Sequence, residues 1–194
     1  MEGQRPGAVQ LKFYGSALLF AIALLGQSPS PNQTNWVSGE IAYRVTVVPD
    51  GSAGGRIGLH IGDVLAEPGS LPARLRQAPA GGVEIPLFRL EEGRYRREKI
   101  RASFTAGEEK RLGVTGDLGF LVTSVESGSL AARAELRPGD FIPKINDTFV
   151  HSLEDLKLVD RAYAEGNQVA IYFTRWSPDT ESYENAASRP KFEK

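Results

Sequence analysis

At 194 residues and a formal net charge of -1, the chain is long enough for one ordinary domain or two small ones, and it has no basic excess to attract a phosphate backbone. Nucleic acid is excluded as an expected partner. The absence of cysteine removes disulfides, thiolate nucleophiles and lipid attachment through cysteine, and two isolated histidines give no zinc spacing.

In chain order, Arg5 and Lys12 precede an apolar run of 14 residues, 13–26 (26 minus 13, plus one). A spanning helix needs about 20 residues, so the run suits the apolar region of a signal peptide. An uncleaved anchor that recruits neighbouring residues is the alternative. Residues 1–26 are therefore expected to export the chain to the periplasm or the extracellular space, or to hold it at a membrane. Residues 27–35, with Pro29 and Pro31 among polar side chains, read as an extended linker.

From there the chain states one pattern twice. Val45, Thr46, Val47, Val48 and the later Gly62, Asp63, Val64 and Leu65 recur as Val122, Thr123, Ser124, Val125 and Gly139, Asp140, Phe141 and Ile142, always 77 places on (122 minus 45). A constant offset over this length predicts a small unit copied in tandem. In the second copy, residues 119–125 read as a strand, residues 129–134 as a short helix and residues 137–140 as a tight turn. Phe141, Ile142 and Ile145 continue as strand, and Pro143 implies an edge or a bulge because it donates no ladder hydrogen bond. Ser152 followed by Asp155 opens a helix. Leu153, Leu156, Val159, Ala162 and Tyr163 give that helix an apolar stripe, Gly166 ends it, and residues 169–174 form the last predicted strand. In the first copy, residues 83–89 align with 169–175 at an offset of 86, so nine residues (86 minus 77) are missing between the aligned segments. That loss shortens the helix expected over residues 71–78 and makes the first copy the weaker binder on paper, with a structural or packing role. Residues 177–194 mix Pro178, Pro190 and charges without periodicity, and are expected to be a disordered tail.

Taken together, Gly119 to Val125, Ser127 to Arg133, the Pro138, Gly139, Asp140 turn and Ile145, Asn146 and Asp147 resemble a PDZ domain, most nearly the bacterial kind appended to extracytoplasmic proteases. The resemblance implies an α+β fold: two small PDZ-like, partly open β-barrels or sandwiches, each capped by helices, at residues 36–104 and 107–176, the first of them degenerate. It further implies that Arg111, Leu112, Gly113 and Val114 stand where the family keeps its carboxylate-binding loop. By that resemblance Lys110, Arg111, Leu112, Gly113, Val114 and Thr115 would receive a peptide terminus, and Leu153, Leu156 and Val159 would wall the groove, while the peptide pairs with a strand edge. Glu135 and Asp147 replace glycines of the family pattern, and Pro143 replaces an apolar residue.

No enzyme is expected. The Gly51, Ser52, Gly54 and Gly55 surround looks like that of a nucleophilic serine, but Ser52 aligns with Ser129 in a turn before a helix, and His60 and His151 lack a recognisable acid partner. No phosphate loop is completed, and no cofactor is implied. The expected function is non-catalytic binding of C-terminal or extended segments of partner proteins outside the cytoplasm, with a membrane protease or another envelope protein among the candidate partners. The alternatives are a structural or assembly module with an unoccupied or self-blocked groove, and a regulatory subunit of a separate protease.

Overall fold

The structure, a computed structural model, describes residues 36–190. The expected signal or anchor segment and the linker lie outside the described residues. Among those described, no helix is long and apolar enough to cross a membrane. The elements are β1 (Ser38–Val47), α1 (Ala53–Arg56), β2 (Val64–Ala66), α2 (Leu71–Arg76), β3 (Val83–Glu91) and β4 (Arg94–Ala102) in the first half. The second half holds β5 (Thr115–Ser124), α3 (Leu130–Arg133), β6 (Phe141–Ile145), β7 (Thr148–Phe149), α4 (Leu153–Glu165), β8 (Ile171–Ser177) and β9 (Ser182–Ser188). The protein is mostly β-sheet, curled into a partial barrel, with few helices.

The strands form one sheet in the order β4-β3-β2-β1-β5-β6-β8-β9, with β7 attached to β6. This order is symmetric about its centre. β1 and β5 begin and end 77 residues apart (115 minus 38, 124 minus 47), as do α1 and α3 (130 minus 53). They pair antiparallel along their whole length, and Ala42 faces Gly119, its own counterpart at that offset. The two irregularities in this ladder fall at its opposite ends, at Ser38/Gly39 and Val45/Val47. At the far ends of the sheet the curl brings β4 back to β9, where the Tyr95 and Tyr183 hydroxyls are 3.0 Å apart.

Matching interactions hold each half. Asp63 and Asp140 are both buried. Asp63 accepts from the Arg89 guanidinium at 2.7 and 3.0 Å, and Asp140 accepts from Arg175 at 2.7 Å through each oxygen. Each carboxylate also accepts a turn N–H, from His60 and from Arg137 respectively. Each arginine also reaches a carbonyl in its half, Gly58 or Glu135. Gly58 and Glu135 both have positive φ, 82° and 58°, which explains the glycine of the family pattern: Glu135 adopts the left-handed conformation that glycine takes without strain.

Pro143 sits at the register shift between Phe141 and Lys144, where β6 meets β8. A bulge removes the need for the missing N–H, and the Pro143 carbonyl accepts from Val150 instead. The helix predicted from Ser152 runs as α4 and ends at Gly166, whose φ of 71° is left-handed.

Two expectations are corrected. Residues 169–174 are not the last strand, and residues 177–194 are not a free tail as far as Ser188. β9 pairs with β8 in an unbroken register from Ile171 opposite Ser188 to Ser177 opposite Ser182. Composition misleads here because an exposed outer strand needs no apolar alternation; backbone pairing and the Tyr183 ring hold it. Likewise β4, where charged residues predominate, was not legible as a strand, and charge on such an outer strand discourages pairing with another chain.

Candidate functional site

The structure separates the residues expected to form one groove. Leu156 and Val159 are 0 % exposed and Leu153 packs beside them. They lie in the core of the second half, covered by Trp36 and Val37 from the start of the described chain. Trp36 is 3 % exposed, and its indole N–H donates to the Leu156 carbonyl at 3.2 Å. From there the chain enters β1 and runs along β5, with Ile41 opposite Phe120 and Glu40 opposite Leu121. The groove between β5 and α4 is thus filled by the chain itself, in the place and the antiparallel sense that an added peptide strand would take.

Lys110, Arg111, Leu112, Gly113, Val114 and Thr115 lie elsewhere, against the first half. Leu112 is buried with Leu71 and Leu75 of α2, and its carbonyl accepts from Gly54 N–H at 2.7 Å. A Cβ on Gly54 would meet the Val114 methyl at 2.5 Å, so only glycine lets α1 approach this segment so closely. The Lys110 ammonium donates to the Ala78 carbonyl at 2.8 Å, and Arg111 pairs with Glu109 at 3.0 Å. Both cations are partly committed within the protein. Leu112, Gly113 and Val114 donate no backbone hydrogen bond to any described residue, and Gly113 has φ of 67°.

Between this segment and α2 lies an open cleft of about 1260 Å³. Its floor is the sheet face of Ile41, Tyr43, Leu65 and Leu118, its walls are residues 67–72, 75, 76 and 109–115, and His151 also lines it. Leu118 is 38 % exposed, an apolar side chain left uncovered on that floor. Partial burial pushes the Tyr43 hydroxyl above its ordinary pKa, and the charge of Asp117 adds to the shift. The rim carries Glu67, Arg76, Glu109, Lys110 and Arg111. Glu67 is paired with Arg74 at 3.3 Å. An apolar floor under a few polar rim groups suits a ligand with an apolar body.

The cleft has a legible cause. Trp36 and Gly113 are 77 residues apart (113 minus 36), so the position that supplies an indole over α4 supplies no side chain over α2. The helix is also shorter, with 6 residues in α2 against 13 in α4. Sequence reasoning missed the cleft because it did not follow the repeat back to Trp36. Trp36, Val37, Ser38, Gly39, Glu40 and Ile41 align with Gly113, Val114, Thr115, Gly116, Asp117 and Leu118 without a gap, and only the first position differs in kind. Gly39 and Gly116 are both demanded by packing: a Cβ at either would overlap a carbonyl across the ladder, that of Leu121 or of Arg44.

Ser52, weighed as a nucleophile, and its counterpart Ser129 both serve as helix caps. Ser52 Oγ accepts from Gly55 N–H and Ser129 Oγ from Ala132 N–H, each at 3.1 Å, which satisfies an otherwise unpaired donor of a first turn. The backbone N–H of His151 donates to Asp155 at 2.9 Å, and the backbone N–H of His60 donates to Asp63. Comparison with protein families matches residues 121–160, from the second part of β5 to within α4, to the PDZ domain.

Proposed function

We propose that this chain is a non-catalytic binding protein whose working groove is the first-half cleft, which receives an extended or C-terminal peptide segment. The observation that carries this reading is the cleft itself, open and apolar beside the N–H groups of Leu112, Gly113 and Val114, which donate to no described residue. Backbone N–H groups left free to donate are suited to a terminal carboxylate, and Arg76 and Lys110 at the rim favour negative charge. The PDZ match at residues 121–160 supports protein or peptide binding as the class of function. We read the two halves as a degenerate tandem pair of PDZ-like units. Support comes from the constant offset of β1 and α1 from β5 and α3, and from the matched Asp63 to Arg89 and Asp140 to Arg175 pairs. The bacterial extracytoplasmic-protease type, a location outside the cytoplasm, and a membrane protease or envelope protein as partner belong to the same proposal. They rest on the motif resemblance and on the apolar run at residues 13–26.

The second half supports a different role. Both long edges of β5 are hydrogen-bonded, to β1 and in part to β6, and Trp36 closes the space under α4. Strand addition there would require the halves to part, so the self-blocked groove serves to join the halves. The test is binding of the purified protein to peptides with free C-termini, with amidated versions alongside. Preference for the free carboxylate supports the proposal. Binding indifferent to amidation removes the carboxylate role, and no binding at all leaves the assembly role as the function.

A further inference from the structure

We infer that the first-half cleft takes an aromatic side chain carried by the partner, in the place that the Trp36 indole fills in the second half. The inference rests on the peptide-binding reading and specifies its ligand.

The surroundings of the two positions correspond. Trp36 shares one buried cluster with Phe120, Val122 and Leu156, and its indole N–H donates to the Leu156 carbonyl. Across the symmetric ladder, Gly113 lies beside Tyr43 of the cleft floor, with Val45 buried in the first-half core; these stand 77 places before Phe120 and Val122 (120 minus 43, 122 minus 45), and Leu71 and Leu75 supply the helix wall. The strand that follows is paired in the same register in both halves, since Tyr43 faces Leu118 as Ile41 faces Phe120. The backbone of a missing peptide strand is therefore already present in the first half as residues 114–118, and what is absent is the large side chain at its head. An aromatic ring buries about 150–250 Å², and the exposed Leu118 and the apolar floor beside it offer that surface. The cleft is open because α2 is short, so the ring must enter from solvent on a separate chain rather than from the residue at position 113, which has a positive φ.

Isothermal titration of the whole protein with peptides Gly-Ser-Gly-Ser-X and Gly-Ser-Gly-X-Ser, where X is Trp, Phe, Leu or Ala, tests this. A ring at one of the two positions is expected to bind about tenfold or more tighter than Ala, and tighter than Leu. Equal binding of Trp and Leu at both positions overturns the aromatic site and leaves the peptide reading standing. No binding by any peptide overturns both. Leu118→Trp places a ring on the floor from within and is expected to abolish the aromatic preference in a protein that still unfolds cooperatively. Unchanged preference in that variant contradicts the inference, and Ile41→Trp serves the same purpose should Leu118→Trp fail to fold.

Discussion

Ala42 faces Gly119 in the central ladder, and Gly119 is the residue 77 places further along the chain (119 minus 42). A residue opposite its own counterpart marks the local two-fold axis of the sheet. The two strand edges that could each have received a peptide are thereby used on one another. A Cβ on Gly119 would lie 2.7 Å from the Ile142 carbonyl oxygen and from the Phe141 ring. Gly119→Ala is expected to destabilise the protein by roughly 1–3 kcal/mol through this overpacking. Urea unfolding measures it, and an unchanged midpoint would count against the packing described at the axis.

The buried Asp140 is held by Arg175 through both oxygens. Removing only the cation strands a carboxylate in the core, so Arg175→Leu is expected to cost about 3–5 kcal/mol. The Asp140→Leu, Arg175→Leu double variant should cost less than the single one, because it removes the stranded charge as well. A double-mutant cycle in urea, with Asp140→Leu as the other single variant, checks this, and a double-variant loss equal to the sum of the two single losses would mean that the pair is not coupled.

Trp36→Ala removes the side chain that closes the second groove. The expected loss of stability is about 3–5 kcal/mol, as for other large-to-small core changes. In the folded fraction, the space under α4 becomes available, so titration with a ring-bearing peptide should show a second site. Stoichiometry that stays at one site would show that the indole is not what keeps this groove shut.

Burial alone would raise the Asp155 carboxyl, but hydrogen bonds from the His151 N–H, the Ser152 hydroxyl and the Ser152 N–H hold it below its ordinary value. Because the folded pKa is depressed, the contribution is present above the unfolded value near 3.9 and is lost as the pH falls through the lower folded value. Asp155→Asn should therefore be less stable than the parent protein at pH 7, and the gap between them should narrow toward pH 2. A gap that stays constant with pH would mean that the carboxylate charge does not stabilise the start of α4.

Local signals were legible where they are short-range. Ser152 with Asp155, Pro143 at a bulge and Gly166 as a helix end could all be read because each depends on residues a few places away. What escaped depends on pairing between distant segments. Nothing in Tyr183 or Glu184 announces a strand, since that strand is held by its neighbour and by the Tyr95 contact. Leu112, Gly113 and Val114 were read as a loop serving the helix that follows them in the chain. The β1 to β5 ladder instead directs them to α2 of the other half, and no motif within residues 107–176 could reveal that crossing. The one sequence signal that bore on it was the alignment of Trp36 with Gly113.

The most direct test of the account is chemical-shift mapping of the backbone amides during titration with a free-carboxylate peptide bearing a Trp or Phe. The predicted result is a cluster of shifts at Leu71, Leu75, Leu112, Gly113, Val114 and Leu118, with Leu156 and Val159 unmoved. Shifts centred on Leu153, Leu156 and Val159 would contradict it, because they would show that the second groove, not the first, is the one that opens to a partner.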